Sequence, residues 1–414
     1  NGLKITETDA LGNTLSESMV RPPKKGENIS LSIHAGAQKA MYDAISEISR
    51  RSGFVGGAGV VMDIHTGEVL VSVSNPEYDS NVLTDGKDVE RINSYLKNQN
   101  NPFLDRVSSG LYTPGSILKP IFALAALAEG IISPDKQIES TGELRVPNPY
   151  RPGEFSIFKD WKAHGYTDMR EAIAVSSDVY FYQIGGGFGS QKGLGIDKID
   201  EYSYMFGFGD TLEGTYFSGK KGVIPTPEWK KKNFNGDIWR VGDTYNTAIG
   251  QYGFQVTPIQ AVRATAALAN NGTLLTPTLI STKTKRELLI NGSLDELGQR
   301  AIHTDSRQVA VQNPAWYNII REGMRLTVTE GTMSAVDVPY VKVAGKTGTA
   351  QLGISKKFIN SWVVGFFPYE NPKYAFTLLL EKGPNTASVG ATPALRLWLD
   401  WMNVYAPEYL RGEK

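Results

Sequence analysis

The chain has 414 residues, 41% hydrophobic and 21% charged, the composition of a folded globular protein and not of a disordered one. Forty-three Lys+Arg balance forty-three Asp+Glu, so no global field points to nucleic acid. The absence of cysteine excludes disulfides, thiolate zinc sites, iron–sulfur clusters and a cysteine nucleophile.

Residues 1–27 are polar, with Pro22, Pro23 and the basic trio Arg21, Lys24 and Lys25, and read as a linker or the remnant of another module. The chain opens on Asn1 and is expected to be a piece of something longer. Ala37, Met41, Ala44, Ile45 and Ile48 recur at helical spacing, which predicts a helix over roughly 35–50, broken by Gly56, Gly57 and Gly59. Val60–Ile64 and Val69–Val73 flank His65-Thr66-Gly67-Glu68 and predict a β-hairpin. Residues 77–112 read as irregular. An Ala-rich helix, apolar nearly all round and so buried, is predicted from Ser116 to about Glu129. Its longest apolar run, Ile121–Ala128, is far short of the roughly 20 residues a membrane-spanning helix needs. Thr257-Pro258 starts another helix, stopped at Asn270-Asn271-Gly272, and Asn313-Pro314 starts one that reaches about Thr329. Val341–Ala350, Phe358–Phe367 and Tyr374–Leu380 read as strands of an antiparallel meander, and 391–404 as a closing helix. The predicted fold is therefore α+β: a central antiparallel β-sheet, with strands from both ends of the chain, flanked by helices.

Several motifs fail. Gly345-Lys346-Thr347 resembles the end of a P-loop, but its required first glycine is Tyr340. Gly185-Gly186-Gly187-Phe188-Gly189 fits no dinucleotide fingerprint, and none of the four histidines stands beside a nucleophile elbow. What survives is an ordered set: Ser116-Ile117-Leu118-Lys119, then Ser176-Ser177-Asp178 about sixty residues on, then Lys346-Thr347-Gly348-Thr349-Ala350. On a helix, residues three apart share a face, so the Lys119 amine can reach the Ser116 hydroxyl. Serine is a weak nucleophile and needs a neighbouring base, and with no suitable histidine Lys119 is the candidate. It must be neutral to act, which burial and a second cation such as Lys346 would favour.

This grouping is the one shared by penicillin-binding proteins and class A β-lactamases. The chain resembles the transpeptidase domain of class B penicillin-binding proteins, most closely the cell-elongation subtype, over roughly residues 25–405. Tyr112-Thr113-Pro114-Gly115 before Ser116, Gly67-Glu68-Val69-Leu70, Asn75-Pro76, Phe181-Tyr182-Gln183, Gly250-Gln251, Thr257-Pro258-Ile259-Gln260 and Asn271-Gly272 add to the likeness. Asp178 stands where many relatives carry Asn, and this favours the elongation subtype over the division subtype.

The resemblance implies a penicillin-recognising serine transpeptidase fold with an all-helical subdomain. It divides the chain into 1–27, remnant of an N-terminal pedestal or a linker, and 28–414, the transpeptidase domain. It implies a peptidoglycan D,D-transpeptidase in which Ser116 attacks the penultimate D-Ala of a stem peptide and is acylated by β-lactams. Lys119 is implied as base and Ser176 as proton relay. Lys346, Thr347, Gly348 and Thr349 are implied on the substrate side, with the Ser116 and Thr349 N–H groups as oxyanion hole. No cofactor or metal is expected. The partners implied are stem peptides ending in D-Ala-D-Ala, β-lactams and, for a longer protein, a membrane glycan polymerase and elongation scaffold proteins. The implied place is the periplasmic face of the bacterial inner membrane. A serine β-lactamase or D,D-carboxypeptidase, in which water replaces the acceptor amine, and a β-lactam sensor domain share these motifs. A class A β-lactamase needs a further carboxylate base; Glu139, Glu143 and Glu154 read as loop residues in no such pattern.

Three further groups were weighed. Asp160 and His164 read as a hydrogen-bonded pair in preference to metal ligands. Lys230-Lys231-Lys232 could meet an anionic glycan, but reads first as a solvated basic turn. Trp362 and Tyr369 read as core ahead of cleft residues.

Overall fold

The structure, a computed structural model, describes residues 2–23, 28–148, 151–291, 306–353 and 355–413. Lys24, Lys25 and His303 lie outside the described residues. Thirteen strands are described. β1 (Leu3–Thr8) and β2 (Thr14–Arg21) form an antiparallel hairpin whose every residue is exposed, so the 1–27 segment carries a formed hairpin with no buried face. β3 (Gly56–Asp63) and β4 (Val69–Asn75) are the predicted pair. β5 (Ile138–Ser140), β6 (Glu143–Pro147), β7 (Phe155–Lys159), β8 (Gly165–Thr167), β9 (Thr273–Leu275) and β10 (Ser306–Gln308) pair two by two. β11 (Ala344–Leu352), β12 (Phe358–Phe367) and β13 (Tyr374–Pro384) are the predicted meander.

The central sheet has the order β11-β12-β13-β3-β4, antiparallel throughout, so strands from both ends of the chain meet at the β13–β3 pair. Both faces are covered. Ala58, Val60, Met62, Trp362, Val364 and Leu379 point to a core shared with the helices Lys119–Ala128 and Pro258–Ala269. Val61, Val71, Val363, Phe376 and Leu378 point to a second core under the helices Ala35–Ser52 and Thr392–Tyr405. Burial on both faces is why these strands read as nearly continuous apolar runs and show little alternation.

Two expectations are corrected. The first helix ends at Ser52, capped by Gly53, and Gly56, Gly57 and Gly59 lie inside β3. The glycine at 59 permits helix-on-sheet contact, since a Cβ there would sit 2.6 Å from Met41 Cγ. Residues 77–112 are not wholly irregular: Ser80–Asp85 and Val89–Lys97 are short helices capped by Asp79 and Asp88. The helix Pro258–Ala269 begins as its sequence predicts, with Thr257 and Gln260 forming a capping box, and every residue of it is buried.

Candidate active site

Ser116 does not sit in the α-helix proper. Gly115–Leu118 is a 3-10 turn, and the α-helix begins at Lys119 with Pro120 in its first turn, where a missing N–H costs nothing. The turn is held from two sides. Trp362 Nε1 donates to Thr113 O at 3.0 Å, and the Gly115 N–H donates to Gly250 O at 2.9 Å. Trp362 is fully buried, so it acts from the core.

Lys119 is also fully buried, and its amine joins the first motif to the second. Nζ donates to Asp178 Oδ1 at 2.6 Å, to Ser176 O at 2.8 Å and to Ser176 Oγ at 3.2 Å. Three acceptors are the full complement of an ammonium, and the Phe181 ring lies 5.3 Å away on a further side. The Lys119 backbone N–H donates to Ser116 O, closing the turn, but among the described residues no hydrogen bond joins the Lys119 amine to the Ser116 hydroxyl. The shared helical face predicted from the spacing is therefore present, but the amine is turned to the second motif.

The second motif follows a sharp change of direction. The helix Met169–Val175, started by an Asp168–Glu171 capping box, ends with Ser176 in the left-handed conformation at φ 60°. Ser177 then caps the helix Asp178–Gly186 by accepting from the Tyr180 N–H. A non-glycine residue at positive φ is a cost that its surroundings must support. The support is Asp160. Its Oδ2 accepts from Ser177 Oγ at 2.9 Å, the Val179 N–H at 3.0 Å and Ser140 Oγ at 3.1 Å, and its Oδ1 from the Trp161 N–H at 2.8 Å. Burial works against its charge, but the backbone N–H groups of Val179 and Asp178, the Lys119 cation and the Ser177 hydroxyl outweigh it and hold the carboxyl below its ordinary value.

The expected Asp160–His164 hydrogen bond is not formed. His164 Nε2 lies 3.4 Å from Asp160 Oδ1 without an aligned partner, because the carboxylate is already occupied by four better donors. Burial pushes the imidazole down, against the opposing pull of Asp160. Among the described residues no group of three or more His, Cys, Asp or Glu is placed to hold a metal ion.

The third motif lies on β11, the edge strand of the sheet. Gly348 brings it against the Ser116 turn: a Cβ there would meet Pro114 O and Ile117 Cγ2, each at 2.8 Å. Gly115 in turn faces Thr349 O. Lys346 is fully buried and donates only to its neighbour's carbonyl, Thr347 O, at 3.1 Å. Burial first, then the charge of Lys119, pushes this amine well below its ordinary value, and Asp178 only partly opposes them. Thr347 Oγ1 lies 2.6 Å from Thr332 Oγ1, a residue that no sequence motif singles out.

Two other candidates leave the site. Tyr369 lines a separate polar cavity of about 580 Å³ with His65, Asn270 and Arg321, at the turn between β12 and β13. Lys230 is 3% exposed and salt-bridged to Asp243 at 2.6 Å, so the basic run is not a fully solvated turn.

The Penicillin binding protein transpeptidase domain family matches residues 57–397, a span that contains all three motifs. The chain belongs to this family. It is 31% identical to the peptidoglycan D,D-transpeptidase MrdA of Haemophilus influenzae, a match covering 98% of this chain and 61% of that protein. The chain thus spans less than two thirds of the curated relative's length. Among solved structures, Pseudomonas aeruginosa PBP2 in complex with WCK 5153 superposes with TM-score 0.75 at 29% identity, covering 93% of this chain and 78% of that one. The PBP2 of Helicobacter pylori, solved in complex with MreC, superposes with TM-score 0.76 at 28% identity, covering 100% of this chain and 70% of that one. Likeness to MrdA and PBP2 proteins over nearly the whole chain bears out the class B, elongation-type resemblance and the fold it implied.

Proposed function

We propose that this chain is the catalytic part of a peptidoglycan D,D-transpeptidase that cross-links stem peptides through a Ser116 acyl-enzyme during cell-wall elongation. The observation that carries this reading is the lysine bridge. One buried amine, Lys119, ties the turn of the nucleophile to Ser176 and Asp178, with a second buried amine, Lys346, close enough to feel its charge.

Lys119 acts as base only as the free amine, so any proton it carries must leave before Ser116 attacks. Ser176 Oγ, which accepts from Lys119 at 3.2 Å, offers the way out. A substrate carboxylate at Thr347 and Thr349 stabilises that proton on Lys346, whose amine burial pushes well below its ordinary value. Lys119 becomes the free amine and takes the Ser116 proton as Oγ bonds to the penultimate D-Ala carbonyl. The negative charge on the carbonyl oxygen is met by the N–H groups of Ser116 and Thr349. Collapse breaks the C–N bond to the terminal D-Ala, whose nitrogen receives a proton from Ser176 Oγ as Lys119 reprotonates Ser176 and returns to the free amine. An acceptor amine then attacks the ester, Lys119 takes its proton, and that proton passes back to Ser116 Oγ as the C–O bond to Ser116 breaks.

The hydrolase alternatives need a dedicated base for water. Glu143 pairs with Arg145 at 2.6 Å on β6, Glu154 with Arg151 at 3.5 Å, and Glu139 is exposed on β5 and accepts from Tyr166. Each of these carboxylates already has a partner of its own, and among the described residues none is bonded to Lys119, Ser176 or Asp178, which supports transfer to an amine over hydrolysis.

Residues 1–27 are proposed to belong to a pedestal module and 28–414 to the transpeptidase domain. The proposed place of the whole protein is the periplasmic face of the inner membrane; among the described residues no helix is long and apolar enough to cross a membrane. The Helicobacter pylori PBP2 was solved with MreC, and we propose a scaffold protein of that kind, and a membrane glycan polymerase, as partners of the longer protein.

The test is penicillin labelling followed by intact-mass spectrometry, with nitrocefin turnover measured beside it. The expected result is one penicilloyl adduct on the peptide containing Ser116, lost in Ser116→Ala and persisting for many minutes after the drug is removed. Sustained nitrocefin hydrolysis at ~1 s⁻¹ or faster, the low end of ordinary turnover, would assign a β-lactamase instead.

A further inference from the structure

The basic run Lys230-Lys231-Lys232 lies in the helix Pro227–Asn233, and the structure separates its three members. Lys230 turns inward onto Asp243 at 2.6 Å and Asp237 at 3.1 Å. Lys231 and Lys232 stay exposed, with no ion pair among the described residues. Around the buried ammonium stands a ring of aromatic side chains. Phe234 and Tyr252 are parallel, with centroids 6.0 Å apart and planes 7° apart, and Trp239 meets Tyr252 edge-on at 5.7 Å. Trp229 backs both Phe234 and Tyr252, at 5.6 and 6.0 Å.

Packing accounts for part of this group, since Trp239 Nε1 donates to Thr244 Oγ1 at 2.8 Å and the Tyr252 hydroxyl bonds Lys230 and Asp243, but it does not account for Phe234 and its neighbour. Phe234 is 47% exposed and the neighbouring Ile238 is 68% exposed. Tyr252 holds its ring there from a left-handed backbone at φ 61°, a conformation that is costly for an aromatic residue and that marks functional positions more often than packing ones. The group is also continuous with the active site. Gly250, two residues before Tyr252, accepts the N–H of Gly115, the residue before Ser116, at 2.9 Å.

We propose that Phe234, Trp239 and Tyr252 form a sugar-binding platform that seats a glycan strand of peptidoglycan beside the Ser116 turn; this rests on the peptidoglycan reading above. A pyranose ring presents a flat face of C–H groups, and the electron-rich face of an aromatic ring attracts them. The exposed amide of Asn235 and the Oδ1 of Asn233, whose Nδ2 already donates to Trp229 O at 2.8 Å, supply hydrogen-bond partners for hydroxyl and acetamido groups at the edge of the rings. Exposed Lys231 and Lys232 complement the carboxylates of the stem peptides that the strand carries. A strand held here delivers its stems to a nucleophile whose own turn is anchored to the same loop.

The test uses this chain and peptide-free glycan strands prepared by amidase digestion of peptidoglycan, with binding read by titration and by NMR saturation transfer to the sugar C–H protons. Phe234→Leu keeps apolar bulk against Trp229 but removes the ring, and Trp239→Leu does the same at a second position. Each is expected to weaken strand binding about tenfold, the effect of losing one aromatic anchor, with penicillin acylation of Ser116 unchanged; Trp239→Leu also gives up the Nε1 bond to Thr244 Oγ1, a loss that its melting temperature reads separately. Strand binding that is equal in wild type and both variants overturns the proposal, as does a wild type that binds free stem pentapeptide but no peptide-free strand. Failure of wild-type penicillin acylation would strike the transpeptidase reading, and the two failures are read separately.

Discussion

Lys119 Nζ lies 2.6 Å from Asp178 Oδ1, with the lysine fully buried and the aspartate side chain 21% exposed. This contact joins the first motif to the second across 59 residues of sequence. It also distinguishes the two buried lysines: among the described residues Lys119 bonds a carboxylate, whereas Lys346 donates to the Thr347 carbonyl.

Lys119→Arg should preserve the ion pair with Asp178 and leave the melting temperature close to wild type. Arginine does not give up its proton, so the penicillin acylation rate should fall by at least about 100-fold, the lower range for general-base catalysis. Stopped-flow acylation checks this, and a near-normal rate in a folded variant would remove Lys119 from the mechanism.

Lys346 should leave a mark on stability. Its folded amine is held well below the ordinary 10.5, whereas the unfolded lysine is not. Between those two values the unfolded chain binds the extra proton, so this residue costs stability as pH falls through the window and the cost shrinks as pH rises towards 10.5. Lys346→Met removes the effect. Relative to wild type, the variant should gain stability as pH is lowered from about 10 to about 7, by up to about 1.4 kcal/mol per pH unit until the folded value is reached. Urea melts at several pH values measure it, and parallel stability curves would show that Lys346 is charged in the fold.

Asp160→Asn replaces one carboxylate oxygen by a donor, in a pocket where Ser140, Ser177 and the N–H groups of Trp161 and Val179 all point inward. Loss of these charge-assisted bonds should cost about 2–3 kcal/mol of stability. Acylation should also slow, since Ser176 then keeps its left-handed backbone without that support. Thermal melts and acylation kinetics together test the clamp; an unchanged acylation rate would limit Asp160 to stability alone.

Gly348→Ala would place a methyl 2.8 Å from the backbone oxygen of Pro114, so β11 and the Ser116 turn must move apart. Acylation should fall about 10- to 100-fold, as a shift of roughly 1 Å in a reacting geometry commonly costs. The overpacking itself should destabilise the fold by about 1–3 kcal/mol. Wild-type acylation in this variant would show that the close approach has no catalytic role.

Local chemistry made much of this legible from sequence. Thr257, Pro258 and Gln260 start a helix wherever they stand, because capping needs only neighbours. Strands β12 and β13 announce themselves because burial on both faces leaves them largely apolar, whereas β11, at an edge of the sheet, carries Lys346, Thr347, Thr349 and Gln351. The motif residues Ser116, Lys119, Ser176, Asp178 and Lys346 could be found by their order along the chain.

Pairings between distant residues were decided only by the tertiary structure. Spacing predicts that Lys119 shares a face with Ser116, but a buried amine goes to whichever acceptors the fold supplies, and here those are Ser176 and Asp178. Both lysines are buried, and among the described residues Lys119 is paired with Asp178 while Lys346 donates to a carbonyl; burial pushes the Lys346 amine well below its ordinary value. Asp160 read as the partner of His164 and became the clamp on Ser177 and Val179, because stronger donors reached its oxygens first. Lys230 read as solvated and is buried on Asp243, thirteen residues away. Sequence determines which groups exist and which local turns they make; protonation, hydrogen-bond partner and burial depend on what the rest of the chain brings within about 3 Å.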